Sequence, residues 1–289
     1  MKVSPLRQRM LDVLQMRGSS PSTVKTYIHA VEYLSRHYRR SPDQISPAEI
    51  QQWLLWMQRE RNISPSTYRQ YFNGVRFLYV FVLEDSAFSE YRFTLPKRQQ
   101  RLPDLLTRRD VERLIQQLRY ARHRLMLLSC YACGLRVSEL VQIRVAAIDG
   151  ERRLLHVFQG KGGKDRYVPI PESLLQQWRD YWSKRRPDPW LFPNPRNEPL
   201  HITSIQRVYR QSKEAAGIKK HGGIHSLRHA FATHSLQAGM PIHQLQRILG
   251  HKHLSTTSRY THWLADSHEG GQVIDLASGL SAATPTCSA

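Results

Sequence analysis

Apolar residues recur at helical spacing through most of the N-terminal third of the chain. Ser20-Pro21-Ser22-Thr23 is followed by Tyr27, Ile28, Val31 and Leu34, and 44 residues further on Ser64-Pro65-Ser66-Thr67 is followed by Tyr71, Phe72, Val75 and Leu78. Each block predicts a helix. The serine caps free backbone N–H groups, the proline takes the first helical position where its missing N–H costs nothing, and apolar residues three and four apart line one face. Between them Ser46-Pro47-Ala48-Glu49 has capping-box spacing and opens a third helix bearing Ile50, Trp53, Leu54 and Met57. Residues 1–93 therefore read as a small helical domain. The echo admits two explanations, a real structural repeat or convergent capping chemistry.

The pattern lapses over residues 94–103, where prolines enclose basic and polar side chains, and this stretch reads as an extended linker. A second segment, residues 104–270, resumes with a helix over Asp110 to Leu118 capped by Thr107, then a buried helix over Leu125 to Leu135. The period then changes. Leu154 to Phe158 and Tyr167 to Ile170 predict two short strands joined by a glycine-rich turn, GKGGKDR. Helical spacing returns over Glu172 to Trp182, Ile202 to Ala216, His225 to Gln237 and Pro241 to Leu249, while residues 271–289 are small and polar and read as a flexible tail. The expected fold is mainly α with a small β-hairpin, an N-terminal helical domain followed by an α+β domain.

Composition sharpens this. A chain of 289 residues with 40% apolar content supplies cores for about two domains, which excludes a disordered basic tail. No stretch approaches the roughly 18 apolar residues of a membrane span and the N-terminus lacks a signal-peptide core, so no membrane partner is expected. Cys130, Cys133 and Cys287 cannot make a disulfide framework, and a reducing cytoplasm is the expected location. The 43 Lys and Arg against 23 Asp and Glu give a net charge of +20, and no Lys or Arg follows Arg259. Positive charge sustained over both domains points to a polyanion, of which nucleic acid is the commonest.

Four clusters in the second segment can carry chemistry: GLRVSEL (134–140), QGKGGKDR (159–166), HSLRH (225–229) and LGHKHLSTTSRYTH (249–262). Gly-Lys-Gly lacks P-loop spacing, so no nucleotide cofactor is expected. His225 and His229 are four apart, but without an H-E-x-x-H pattern or an acidic residue nearby they predict no metal. Cys130 and Cys133 sit in an apolar run and read as small core residues.

Taken jointly, the order Arg136, Lys161, His225-x-x-Arg228, Gly250-His251 and Tyr260 resembles the tyrosine recombinase (phage integrase) family, Xer-type relatives included. The flanks agree, from Gly134-Leu135-Arg136 and Ser138-Glu139-Leu140 to Leu249-Gly250-His251 and Tyr260-Thr261-His262. The resemblance implies a core-binding domain followed by a catalytic domain, double-stranded DNA as substrate, a tetramer on paired sites and no cofactor. Its implied roles are Tyr260 as nucleophile and Arg136 and Arg228 as phosphate clamps. His225 would be an acid/base partner, His251 a phosphate donor, Lys161 the acid for the leaving 5′ oxygen, and Glu139 an orienting group.

That chemistry suits the residues. A phosphodiester gathers charge on its non-bridging oxygens as it is attacked, and two guanidiniums can neutralise it without a metal. A phenol with a pKa near 10 attacks at neutral pH only with help from a base or from cations. Two readings stay open beside this one: a type IB topoisomerase, and a DNA-binding relative that has lost catalysis.

Overall fold

The structure is a computed structural model that describes residues 4–96, 104–158, 165–263 and 276. It divides into two compact units, Met1–Arg101 and Leu102–Ala289.

In the first unit the helices are α1 (Pro5–Met16), α2 (Pro21–Tyr38), α3 (Pro47–Arg59), α4 (Pro65–Leu78, followed by one wider turn over Tyr79–Leu83) and α5 (Ser86–Glu90). Every long helix starts on a serine whose hydroxyl accepts from the backbone N–H three residues on, and proline follows each cap. At Ser46 the capping box is complete, since the Glu49 carboxylate accepts from the Ser46 N–H at 2.9 Å. Trp53, Leu54, Met57, Tyr68, Val75 and Leu78 fill the core.

The repeated blocks are α2 and α4, and they pack on each other. A Cβ on Gly74 would lie 2.7 Å from the Cβ of Ala30, so this pair is the point of closest approach. Around it Tyr27 meets Phe77 at 5.6 Å between ring centroids, and Tyr33 meets Tyr71 at 5.5 Å. Moving every residue of the first contact by the repeat length of 44 gives the second, and Ala30 maps onto Gly74. The helices are thus antiparallel and related by a local twofold through their crossing, so the repeat is structural and not capping chemistry alone.

The second unit comprises α6 (Arg108–Gln116), α7 (Ala121–Ala132), α8 (Val137–Leu140), β1 (Ile148–Asp149), β2 (Leu154–Val157), β3 (Arg166–Pro169), α9 (Glu172–Arg185), α10 (Ile202–Ala215), α11 (His225–Gln237), α12 (Ile242–Leu249) and α13 (Leu254–Thr257), with a final tight turn over Ser258–Trp263. The predicted hairpin is present, with Leu155 opposite Val168 and Val157 opposite Arg166, but β1 pairs on its outer edge to make a three-stranded antiparallel sheet. Two residues are too short to carry an alternation signal, so the sequence pattern missed that strand. The buried helix expected over Leu125 to Leu135 ends at Ala132, because Gly134 takes a left-handed φ of +58°. Buried α7 lies at the centre of the core, touched by α6, α9 and α11. Leu276, inside the stretch expected as a flexible tail, is 2% exposed and belongs to this core.

Candidate active site

Gly134 makes the site possible. A side chain there would put its Cβ 2.4 Å from Cδ1 of Phe231 on α11, on top of the strain of a positive φ. The turn it permits delivers Arg136 to the start of α8, where its backbone N–H donates to Glu139 Oε2 (2.8 Å) and its Nη1 to Glu139 Oε1 (2.6 Å). Arg228, three residues before Phe231 on α11, donates from Nη1 to the Gly134 carbonyl (2.7 Å) and from Nη2 to the Leu249 carbonyl at the end of α12. One buried guanidinium therefore ties the Gly134 turn to the segment that carries His251.

Glu139 is the hub. Its side chain is 6% exposed and meets three guanidiniums: Arg136, Arg166 through both Nη atoms (2.8 and 2.7 Å), and Arg228 at 3.8 Å. Burial by itself would raise the carboxyl pKa, but the Arg166 hydrogen bonds and charge, together with the Arg136 N–H and charge, outweigh it and hold the group at about 2. Three fixed cations around one anion leave surplus positive charge. Arg166 also donates from Nε to the Ile248 carbonyl (2.8 Å). Its Cδ lies 3.0 Å from where a Cβ on Gly250 would be, so Gly250, at φ +63°, ends α12 against this arginine. Burial and the neighbouring Arg136 lower the Arg228 pKa to about 10, which leaves it charged at neutral pH.

His251 follows that glycine. Its Nδ1 lies 2.9 Å from the buried Thr257 hydroxyl and its Nε2 3.3 Å from Arg228 Nη2. An arginine only donates, so here Nε2 accepts and the ring proton sits on Nδ1 facing Thr257. Burial and the charges of Arg228 and Arg136 lower its pKa to about 4, which keeps the ring neutral at physiological pH. Tyr260, in the tight turn after α13, is 6% exposed, and its hydroxyl lies 2.8 Å from Nδ1 of His229. Burial raises the phenol pKa, and Arg228, Arg259 and Arg136 pull against it. His225 stands at the exposed first position of α11, one turn before His229, with its pKa lowered by desolvation and by Arg228 and Arg136.

Five of the six predicted site residues, Arg136, His225, Arg228, His251 and Tyr260, thus gather on three segments joined by buried hydrogen bonds. The sixth, Lys161, lies outside the described residues. Three contributors were given no chemical role from sequence: Arg166, read as part of a turn, and His229 and Thr257, which agree with the family only as flanking residues, His229 having also been weighed as a metal partner. The signal for His229 was its spacing of four from His225, which puts the two on one helix face a turn apart. Among the described residues no cluster of three His, Cys, Asp or Glu could hold a metal ion, and no helix is long and apolar enough to cross a membrane.

The phage integrase family matches residues 104–266, and the N-terminal SAM-like domain of phage integrases matches residues 6–87. Tyrosine recombinase XerA of Thermococcus onnurineus is 34% identical over 254 residues, covering 86% of this chain and 87% of that protein. An integrase/recombinase of Escherichia coli is 32% identical, covering 90% of this chain and 91% of that protein. In fold the chain resembles a crystal structure of a lambda integrase dimer bound to a COC′ core site, with a TM-score of 0.73 at 18% identity over 93% of this chain and 99% of that one. With both domains matched in order and the clamp assembled within the second of them, the chain belongs to the phage integrase family and is a tyrosine recombinase, an enzyme of site-specific DNA recombination.

Proposed function

We propose that Tyr260 attacks a scissile DNA phosphate held by Arg136 and Arg228, giving a 3′-phosphotyrosyl bond and a free 5′-hydroxyl. The observation that carries this is a buried phenol paired with a neutral histidine beside fixed guanidiniums that share one carboxylate. Glu139 and Arg166 fix the two catalytic arginines before substrate arrives, so little reorganisation is needed as charge builds on the phosphorane. His251 can donate to a phosphate oxygen from Nε2 once its proton leaves Nδ1, with Thr257 turning its hydroxyl to donate in return. His225, exposed at the head of α11, is free to exchange protons with bound DNA, and Lys161 is assigned to the leaving oxygen by the motif alone. The phosphotyrosyl bond conserves the energy of the broken phosphodiester, so a second 5′-hydroxyl can reverse the step without ATP or a metal. Four protomers on two DNA sites are proposed as the working assembly.

The test is covalent trapping on nicked suicide substrates, read on denaturing gels. The native enzyme should yield a protein-linked DNA band and Tyr260→Phe none, with DNA binding retained. A persisting band in Tyr260→Phe rejects the assignment.

A further inference from the structure

His229 is the one side chain in hydrogen-bond contact with the hydroxyl of Tyr260 among the described residues. The contact is built in. His229 follows Arg228 on α11, whose backbone position is fixed by Phe231 over Gly134 and by the two carbonyls that Arg228 holds. Tyr260 is held from the other side by the turn after α13, and the two rings sit 5.6 Å apart between centroids.

Resting on the reading that Tyr260 is the nucleophile, we infer that His229 is a further catalytic residue: its Nδ1 takes the Tyr260 proton as the phenol oxygen bonds to phosphorus. In that step the Oη–P bond forms, the P–O5′ bond breaks, and the Tyr260 proton moves to Nδ1. The departing O5′ takes a separate proton from the acid on its own side. On religation both transfers reverse, and the imidazolium of His229 returns its proton to the phenol oxygen as the leaving group. For Nδ1 to accept, the resting ring must carry its proton on Nε2. The surroundings favour that neutral ring: burial, His225 and Arg228 on its own helix, all lower its pKa. His251, from beyond α12, stacks on Tyr260 and is itself kept neutral, in part by the positive charge His229 would carry, so the two rings do not charge together. Arg228, one of the guanidiniums that stabilise a phenolate, therefore also helps keep its base unprotonated until the moment of transfer. His225 and His229 would then divide the labour, the exposed ring serving DNA and the half-buried ring serving tyrosine.

The experiment is single-turnover cleavage of a suicide substrate by His229→Asn, whose side-chain oxygen can replace Nδ1 as an acceptor without its basicity. DNA binding is measured in parallel. Cleavage should slow by about 10²- to 10⁴-fold with binding retained. The diagnostic arm uses DNA with sulfur in place of the bridging 5′ oxygen, which leaves without a proton. The His229→Asn defect should persist on that substrate, whereas a Lys161→Ala defect should be relieved. Cleavage within about threefold of native, or a His229→Asn defect that disappears on the sulfur substrate, overturns the inference. If His229→Asn does not fold, His229→Gln is measured under the same criteria. Tyr260→Phe run alongside separates the two levels: loss of adduct there with full activity in the His229 variants would sink the base and leave the nucleophile standing.

Discussion

Replacing Glu139 by glutamine should destabilise the second unit by an amount that its protonation sets. Folding depresses this carboxyl from an ordinary value of 4.5 to about 2, against the pull of burial, because Arg166 and Arg136 bond to it. At ~1.4 kcal/mol per tenfold change in proton affinity, that difference corresponds to about 3 kcal/mol in favour of the folded state. The sign follows from proton binding. Between the two values the unfolded chain holds the proton and the folded one does not, so the contribution is complete above roughly pH 5 and is lost as pH falls toward 2. The loss in Glu139→Gln agrees with the ~3–5 kcal/mol typical of removing one partner from a buried ion pair, since Arg136, Arg166 and Arg228 would be left facing one another. For a unit of this size it lowers the melting temperature by roughly 6–12 °C.

Thermal unfolding followed by circular dichroism, from neutral pH down to about pH 3, measures it. The gap between native protein and variant should be widest at neutral pH and narrow on acidification. Asp110, also held at about 2 through Lys220 and Thr107 despite its burial, titrates in both proteins and cancels in the difference. Removing one of the stranded charges with Arg166→Met in the Glu139→Gln background should recover part of the loss, with a coupling energy of about 0.5–3 kcal/mol. A variant that melts within about one degree of native at neutral pH, or a gap that does not shrink in acid, would refute the hub.

Two further outcomes follow from the same geometry. Gly134→Ala must hold a positive φ and displace the Phe231 ring, and should cost at least ~1–3 kcal/mol in thermal unfolding while abolishing cleavage, because both arginines proposed to clamp the phosphate hang from that turn. Arg228→Lys keeps the charge but cannot hold the Gly134 and Leu249 carbonyls together, so suicide-substrate cleavage should fall about 10²- to 10³-fold. Its salt dependence of DNA binding should change by no more than about one phosphate contact, read from the slope of log K against log salt.

Much of the fold was legible because its signals are local. Ser20, Ser46, Ser64 and Thr107 each cap the helix they announce, since a cap depends only on the next three residues. The hairpin was visible in its alternation, whereas β1 was not, because two residues gain a strand identity only from the partner they pair with. The break after α7 was hidden in a continuous apolar run, which reports burial and not direction.

The site divides in the same way. Sequence by itself determined which residue types stand in which order, and the joint order of Arg136, Lys161, His225, Arg228, His251 and Tyr260 carried the family resemblance from which phosphoryl transfer to tyrosine is proposed. It also determined the repeat at 44 residues, but not that Ala30 and Gly74 would meet on a twofold. Tertiary structure alone decided that Arg166 grips Glu139 from 27 residues away and that His229, not His225, faces the tyrosine hydroxyl from 31 residues away. The physical reason is one of range. Capping and periodicity are encoded within a turn or two of chain, while the partner of a buried charge or a phenol is chosen by whatever packing brings within 3 Å, and no run of neighbours along the sequence records that choice.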